Sequence, residues 1–151
     1  MGIKRYYKQK EFTNDVERIL KIINKKHWDI RLIYGIPRGG AVLAVYLSHI
    51  FDIPVVFGLS SVFDVIKKTS VKSNKNEVIR EENVLIVDDI SCTGETLLKI
   101  PNIGLFKCVT LFRRETTGFN PDFFCNSCKD EWIVFPWERI DSKTEKDDTK
   151  I

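Results

Sequence analysis

Apolar positions recur at helical spacing from Phe12 through Val16, Ile19, Leu20 and Ile23. Thr13 or Asn14 stands where a cap would, and Lys25, Lys26 and His27 gather where the carboxyl end of a helix dipole favours positive charge. The pattern predicts a first helix over 15–26. An apolar run at 30–34 then reads as a strand, stopped by Gly35-Ile36-Pro37-Arg38-Gly39-Gly40, and 41–51 is apolar nearly all round, as a buried helix would be. Strand, glycine turn and helix begin a βαβ unit. Further strands are predicted at 54–59, 83–87 and 106–112, with a helix opening near Glu95. Short apolar strands alternating with helices imply an α/β fold, a central, mostly parallel sheet flanked by helices.

Two stretches depart from this rhythm. Between Ser60 and Glu82 the chain sets Lys67, Lys68, Lys72, Lys75 and Arg80 among Ser, Thr and Asn. So long a polar segment inside a compact domain reads as a mobile lid at 61–82, with a solvated hairpin or a disordered excursion as the plain alternative. The end, 139–151, is rich in Asp, Lys, Thr and Glu and predicts a frayed, charged tail. That leaves 1–138 as a single domain, without internal repeats.

The run Val84-Leu85-Ile86-Val87-Asp88-Asp89-Ile90-Ser91-Cys92-Thr93-Gly94-Glu95-Thr96 carries the most chemistry. Its apolar start delivers two adjacent carboxylates to the carboxyl end of a strand, where open α/β sheets bind ligands. Hydroxyls, a glycine that lets the backbone approach, and free amides at a helix N-terminus together make an anion cradle. Taken singly, the acids are an ordinary strand end, and Ser91 or Thr93 an ordinary cap. Together they suit a ligand with both vicinal hydroxyls and a phosphate, since carboxylates accept from hydroxyls and hold Mg²⁺ directly or through its water. That describes a ribose 5-phosphate. Neither GxxxxGK nor GxGxxG occurs, so the run is not a Walker loop or a dinucleotide fingerprint.

Composition narrows the setting. In 151 residues, 43% hydrophobic and 30% charged, a net charge of +3 fits one globular domain and excludes a disordered or collagen-like chain. No tract approaches the roughly 18 apolar residues of a membrane span, and the first residues lack the apolar core of a secretion signal. The expected compartment is the cytoplasm, with no nucleic-acid partner, since +3 does not demand a basic face. Cys92, Cys108, Cys125 and Cys128 are expected as free thiols. A zinc site at Cys125/Cys128 is the weaker alternative, because only His27 and His49 could complete it.

The acidic run resembles the 5-phosphoribosyl diphosphate (PRPP) signature of the type I phosphoribosyltransferases. Tyr34-Gly35-Ile36-Pro37-Arg38-Gly39-Gly40 resembles the pyrophosphate loop of the same family, in which the peptide bond before the basic residue can be cis. Near the C-terminus, Asp130-Glu131-Trp132-Ile133-Val134-Phe135-Pro136-Trp137-Glu138 is similar to the xanthine-guanine branch, where a Trp-Ile pair meets the base and a Pro-Trp-acid sequence follows. The resemblance covers 30–138, with the lid segment matching poorly, and implies the type I fold with a small C-terminal hood.

It further implies transfer of 5-phosphoribosyl from Mg²⁺-bound PRPP to guanine, xanthine or hypoxanthine, yielding GMP, XMP or IMP and diphosphate. The 5-phosphate would lie on Ser91, Cys92, Thr93, Gly94, Glu95 and Thr96, the ribose hydroxyls on Asp88 and Asp89 with Asp89 toward the metal, and diphosphate on Pro37, Arg38, Gly39 and Gly40. Trp132 and Ile133 would meet the purine, and Arg114, by position rather than Arg113, would donate to its 6-oxo group. A lysine is usual there. Trp137 reads as core or interface. The family's aspartate near purine N7 is replaced by Cys92, which leaves open a weaker acid-base group, proton transfer by solvent, or a different base preference. A homodimer or homotetramer is expected. The competing class is a PRPP- or nucleotide-sensing regulator of the same fold, with Cys92 marking lost catalysis.

Overall fold

In the computed structural model, residues 2–58, 64, 66 and 78–138 are described. The expected lid therefore lies mostly outside the described residues, and the tail at 139–151 wholly so. The elements are β1 (Lys4–Tyr6), α1 (Gln9–Lys25), β2 (Leu32–Gly35), α2 (Gly39–Phe51), β3 (Val55–Phe57), β4 (Val84–Ser91), α3 (Glu95–Leu98), β5 (Lys107–Arg114), β6 (Phe123–Cys128) and β7 (Trp132–Val134). Short 3₁₀ turns precede β4 and β5 and follow β7.

The main sheet has five strands in the order β3-β2-β4-β5-β6, every adjacent pair parallel. The chain leaves β2 toward β3 on one side and β4 toward β5 on the other, so strand order reverses between β2 and β4. At such a switch point the loops after the two strands diverge and leave a crevice at their carboxyl ends. Side chains alternate across the sheet. Ile33, Leu85, Val87, Val109 and Leu111 pack under α1 and α2, while Leu32, Tyr34, Val84, Ile86 and Cys108 face Leu97 and Phe106.

Several boundaries differ from the sequence reading, each for a local reason. Helix α1 starts at Gln9, well before Thr13 and Asn14, because Glu11 accepts the Lys8 N–H at 2.8 Å and Phe12, 1% exposed, extends the apolar stripe by a turn. Strand β4 continues through Asp88 and Asp89 to Ser91, because β5 runs beside it as far as the Ser91–Arg113 pair. Helix α2 is not buried all round. Gly40, Leu43, Ala44 and Leu47 face the sheet, whereas Val45, Tyr46 and Ile50 are exposed, since α2 covers the sheet with one side only. Strands β6 and β1 carry too many polar residues to be read from periodicity, and β7 is only the three residues Trp132–Val134, too short to show a period.

The expected hood takes a strand from each end of the chain. Strands β1 and β7 pair in parallel, Lys4 with Trp132 and Tyr6 with Val134. Tyr7, Phe112 and Phe135 form an edge-to-face trio, centroids 5.1–5.8 Å apart, that seats this hood on β5. Below it, buried Asp15 accepts from Tyr7 Oη and Asn126 Nδ2, both at 2.7 Å, and Arg18 bridges Asp15 to the Cys125 carbonyl. The network ties β1 to α1 and β6. Tyr7→Phe leaves a buried carboxylate short of a donor, so it should cost about 1–3 kcal/mol. An unchanged urea midpoint would contradict this role.

Candidate active site

The turn after β2 is drawn onto the end of β4. Ile36 N–H donates to the Val87 carbonyl at 2.9 Å, Gly40 N–H closes back on the Ile36 carbonyl at 2.9 Å, and the Pro37–Arg38 peptide bond is cis. Glycine is required here by space. A Cβ on Gly39 would run into the Asp89 carboxylate, and one on Gly40 would lie 2.5 Å from the Val87 carbonyl oxygen and 2.8 Å from Asp88 Cα. The two motifs, far apart in sequence, thus meet backbone to carboxylate.

The loop after β4 has its own buttress. Gly94 adopts φ +85°, a left-handed conformation that glycine accommodates, and a Cβ there would stand 2.6 Å from the Phe119 nitrogen. Gly118 N–H donates to the Thr93 carbonyl at 2.9 Å. Ser91 is 1% exposed, and its hydroxyl reaches the Phe119 carbonyl and Thr117 Oγ1, both at 2.9 Å. Ser91 therefore anchors the loop through its side chain. Cys92, Thr93, Gly94 and Thr96 surround a small recess of about 60 Å³ that Asp88 closes on the sheet side. Glu95 opens α3, its N–H 3.3 Å from Thr93 Oγ1.

A larger cavity of about 810 Å³ adjoins this recess, with Asp88, Ile90 and Thr96 common to both. Its floor is the Ile36–Gly39 turn with Asp88 and Asp89, and its roof is the hood, through Lys4, Trp132, Val134, Trp137 and Glu138. Trp132 is 65% exposed and presents its ring to this space. Ile133, next in the strand, points the other way into the core at 6% exposure, so only its backbone is free to meet a ligand. Trp137 serves two ends. It stacks on Phe135 at 4.9 Å and also lines the cavity, a position that its apolar surroundings in sequence had reduced to core or interface.

Arg113 and Arg114 separate cleanly. Arg113 lies over the Phe124 ring and donates to Asn120, whereas Arg114 Nε–H donates to Cys92 Sγ at 3.1 Å. The contact between Cys92 and Arg114 spans 22 residues and was invisible in the sequence. Lys4, Trp137 and Glu138 were likewise missed, because the hood that carries them is assembled from both ends of the chain. Cys125 and Cys128 are buried and bond the Asp15 and Arg113 carbonyls respectively, so their thiols point to different partners.

The acids are electrostatically uncomfortable. Burial, then the charge of Asp89, pushes Asp88 above the ordinary carboxylate range, and burial does the same to Asp89, with Glu138 adding a smaller repulsion. Asp88 Oδ1 accepts the Asp89 N–H at 2.9 Å, and Asp89 Oδ1 accepts the Ile90 N–H at 2.8 Å. These bonds only partly offset the loss of water. The arrangement calls for hydroxyl donors or a cation from a ligand.

Residues 2–139 match the profile of the phosphoribosyl transferase domain family. The chain belongs to that family. Among phosphoribosyltransferases, it is 30% identical over 112 residues to the xanthine-guanine phosphoribosyltransferase of Idiomarina loihiensis, covering 70% of each chain. The fold superposes on the purine phosphoribosyltransferase of Pyrococcus horikoshii with a TM-score of 0.67 and 27% identity, over 91% of this chain and 96% of the other. The Helicobacter pylori xanthine-guanine-hypoxanthine phosphoribosyltransferase shares the fold at a TM-score of 0.72 and 21% identity, over 97% and 99% of the two chains. This phosphoribosyltransferase is thus of type I, with its relatives in the xanthine-guanine branch. No helix among the described residues is long and apolar enough to cross a membrane.

The raised pKa of Asp88 has a consequence for stability. A carboxyl that binds its proton more tightly when folded contributes stability below its unfolded pKa and loses it as pH rises through the folded value. Asp88→Asn keeps the Oδ1 acceptor and removes the charge, so Tm should rise above that of the parent at alkaline pH. The gain should shrink as pH falls toward about 4, the ordinary carboxylate pKa. Calorimetry across this range checks it; an equal or lower Tm for the variant at pH 8 would refute the assignment.

Proposed function

We propose that the protein transfers 5-phosphoribosyl from PRPP to a 6-oxopurine and releases diphosphate, a purine-salvage reaction. The observation that carries this reading is the junction of the Gly39–Gly40 turn with Asp88 and Asp89 beneath a tryptophan-lined cavity. The recess formed by Cys92, Thr93, Gly94 and Thr96 suits the 5-phosphate. Asp88 and Asp89 suit the ribose 2- and 3-hydroxyls, which donate to buried carboxylates. Arg38 with the amides of Gly39 and Gly40 suits the diphosphate, and Trp132 gives the purine a flat apolar face. In this reading 1–138 is a single domain and the protein is cytoplasmic.

The donor set fits Mg²⁺. Asp89 directs a carboxylate oxygen at the Gly39 turn and would hold a hard cation there. When bound, the ion supplies neutralisation of the charge that accumulates on departing diphosphate. The chain's own residues do the rest. Arg38 and the loop amides hold the leaving group in line, and the paired carboxylates favour positive charge developing at C1′. Self-association into a homodimer or homotetramer is assigned to the exposed apolar side of α2, where Tyr46 and Ile50 are 45% and 48% exposed.

Nucleotide formation from PRPP and Mg²⁺ with guanine, hypoxanthine, xanthine and adenine, run in parallel with product identification, tests the reading. Turnover with a 6-oxopurine is expected. Measurable PRPP binding without turnover of any base would favour the sensor instead. The double variant Asp88→Asn, Asp89→Asn should lose turnover while remaining folded, and near-normal activity would sink the assignment. Gly39→Ala displaces the Asp89 carboxylate and should lower kcat/KM about 10²-fold, the cost of a misplacement of roughly 1 Å.

A further inference from the structure

The roof of the large cavity carries a cation of its own. Lys4 pairs with Trp132 in the parallel register of β1 and β7, and residues so paired turn their side chains to the same face of a sheet. Both line the cavity. The next pair, Arg5 and Ile133, turns the other way. Ile133 enters the core, while the Arg5 guanidinium lies 5.0 Å over the Phe112 ring and 3.8 Å from the Glu11 carboxylate. Alternation along β1 therefore gives one positive side chain to the cavity and the other to the seat of the hood.

Among the described residues, Lys4 and Arg38 are the cations that line the cavity. Arg38 belongs to the floor turn whose Gly39 meets Asp89, and Lys4 stands in the roof beside Trp132. Within the described residues Lys4 has no ion-pair partner, and no cation covers the Trp132 ring. The ring face is free for the plane of a ligand and the ammonium for its edge. Glu138 is the carboxylate of the roof. It accepts the Phe135 N–H at 3.1 Å and repels Asp89, so its charge bears on the acids of the floor, and as an acceptor it suits an amino group rather than an oxygen. Arg114 lines neither the cavity nor the recess, since its guanidinium donates to Cys92 Sγ and to the Lys129 and Glu131 carbonyls.

Resting on the function proposed above, we infer that Lys4 reads the nucleobase, its ammonium donating to a carbonyl oxygen on the edge of a purine stacked on Trp132. An ammonium has three donors and no acceptor. An oxo group at that edge completes a charge-assisted hydrogen bond. An amino group there sets N–H against N–H and leaves a partly desolvated cation without a partner. The site accordingly favours oxopurines over aminopurines of the same shape, through a side chain that comes from the opposite end of the chain to Trp132.

The experiment compares the parent protein with Lys4→Met, which keeps an unbranched side chain and removes the donor. Lys4 is exposed, so the variant should keep the parent Tm. Calorimetric titration with IMP and with ribose 5-phosphate, at saturating Mg²⁺, separates the nucleobase from the sugar phosphate. Lys4→Met should bind IMP about 10- to 100-fold more weakly, the effect of losing a hydrogen bond from a charged donor, and bind ribose 5-phosphate as the parent does. In turnover the loss should fall on the KM for hypoxanthine, leave the KM for PRPP unchanged and narrow the preference for hypoxanthine over adenine by the same factor. Lys4→Arg should recover most of it. Equal weakening of IMP and ribose 5-phosphate would put Lys4 on the phosphate, and unchanged IMP affinity would remove it from the site. Either result overturns the inference while leaving phosphoribosyl transfer standing. A parent protein that binds neither ligand and turns over no base would remove both.

Discussion

The close approach of the Gly39–Gly40 turn to the end of β4 is the constraint on which the rest of the site depends. It occurs at the one place in the sheet where successive connections part company, so the backbone after β2 can drop onto the carboxylates that β4 delivers. No side chain fits between them. The consequence is a pair of acids stripped of water on one side by α2 and on the other by the loop leading into α3, with too few hydrogen bonds to compensate. Burying these charges works against the stability of the free protein. The same burial makes them strong acceptors for whatever hydroxyl donors or hard cation a ligand brings.

The second organising feature is the aromatic seat of the hood. Tyr7, Phe112 and Phe135 join β1, β5 and the segment after β7, and the Asp15 network locks Tyr7 from below. Trp132, Trp137 and Glu138 owe their position over the acids to this contact. Arg114 then links the hood to the loop after β4, with one guanidinium touching Cys92 and the carbonyls of Lys129 and Glu131 ahead of Trp132. The loop after β4 and the hood are therefore set by a shared strut, and a lysine, with its single nitrogen, could not make the same three contacts from a rigid plane.

Strands β2 to β5 of the main sheet and the first two helices were legible because their apolar residues repeat with the period of the element. The acidic strand end and the glycine turns were legible for a different reason: they need particular residue types, and neither the close approach at Gly39 nor the positive φ at Gly94 leaves room for substitutes. Strand β6 escaped because Asn126 and Ser127 interrupt its apolar pattern, Asn126 serving the Asp15 network. Strand β1 escaped because its charged residues flank an edge with a single partner. The start of α1 was misplaced because Glu11 and Phe12, which set it, precede the residues that best fit a cap.

By itself the sequence determined the α/β class, the order of its main elements, the two glycine-bearing loops and the acids between them, since each follows from local periodicity or from a residue type that the backbone demands. Tertiary structure alone decided that Ser91 turns its hydroxyl inward, that Ile133 faces the core while Trp132 faces the cavity, and that Cys92 meets Arg114. Those outcomes depend on which strands become neighbours and on how a two-stranded hood from opposite ends of the chain settles on β5. Pairings across so many residues are chosen by the packing of the whole domain, and no local pattern records them.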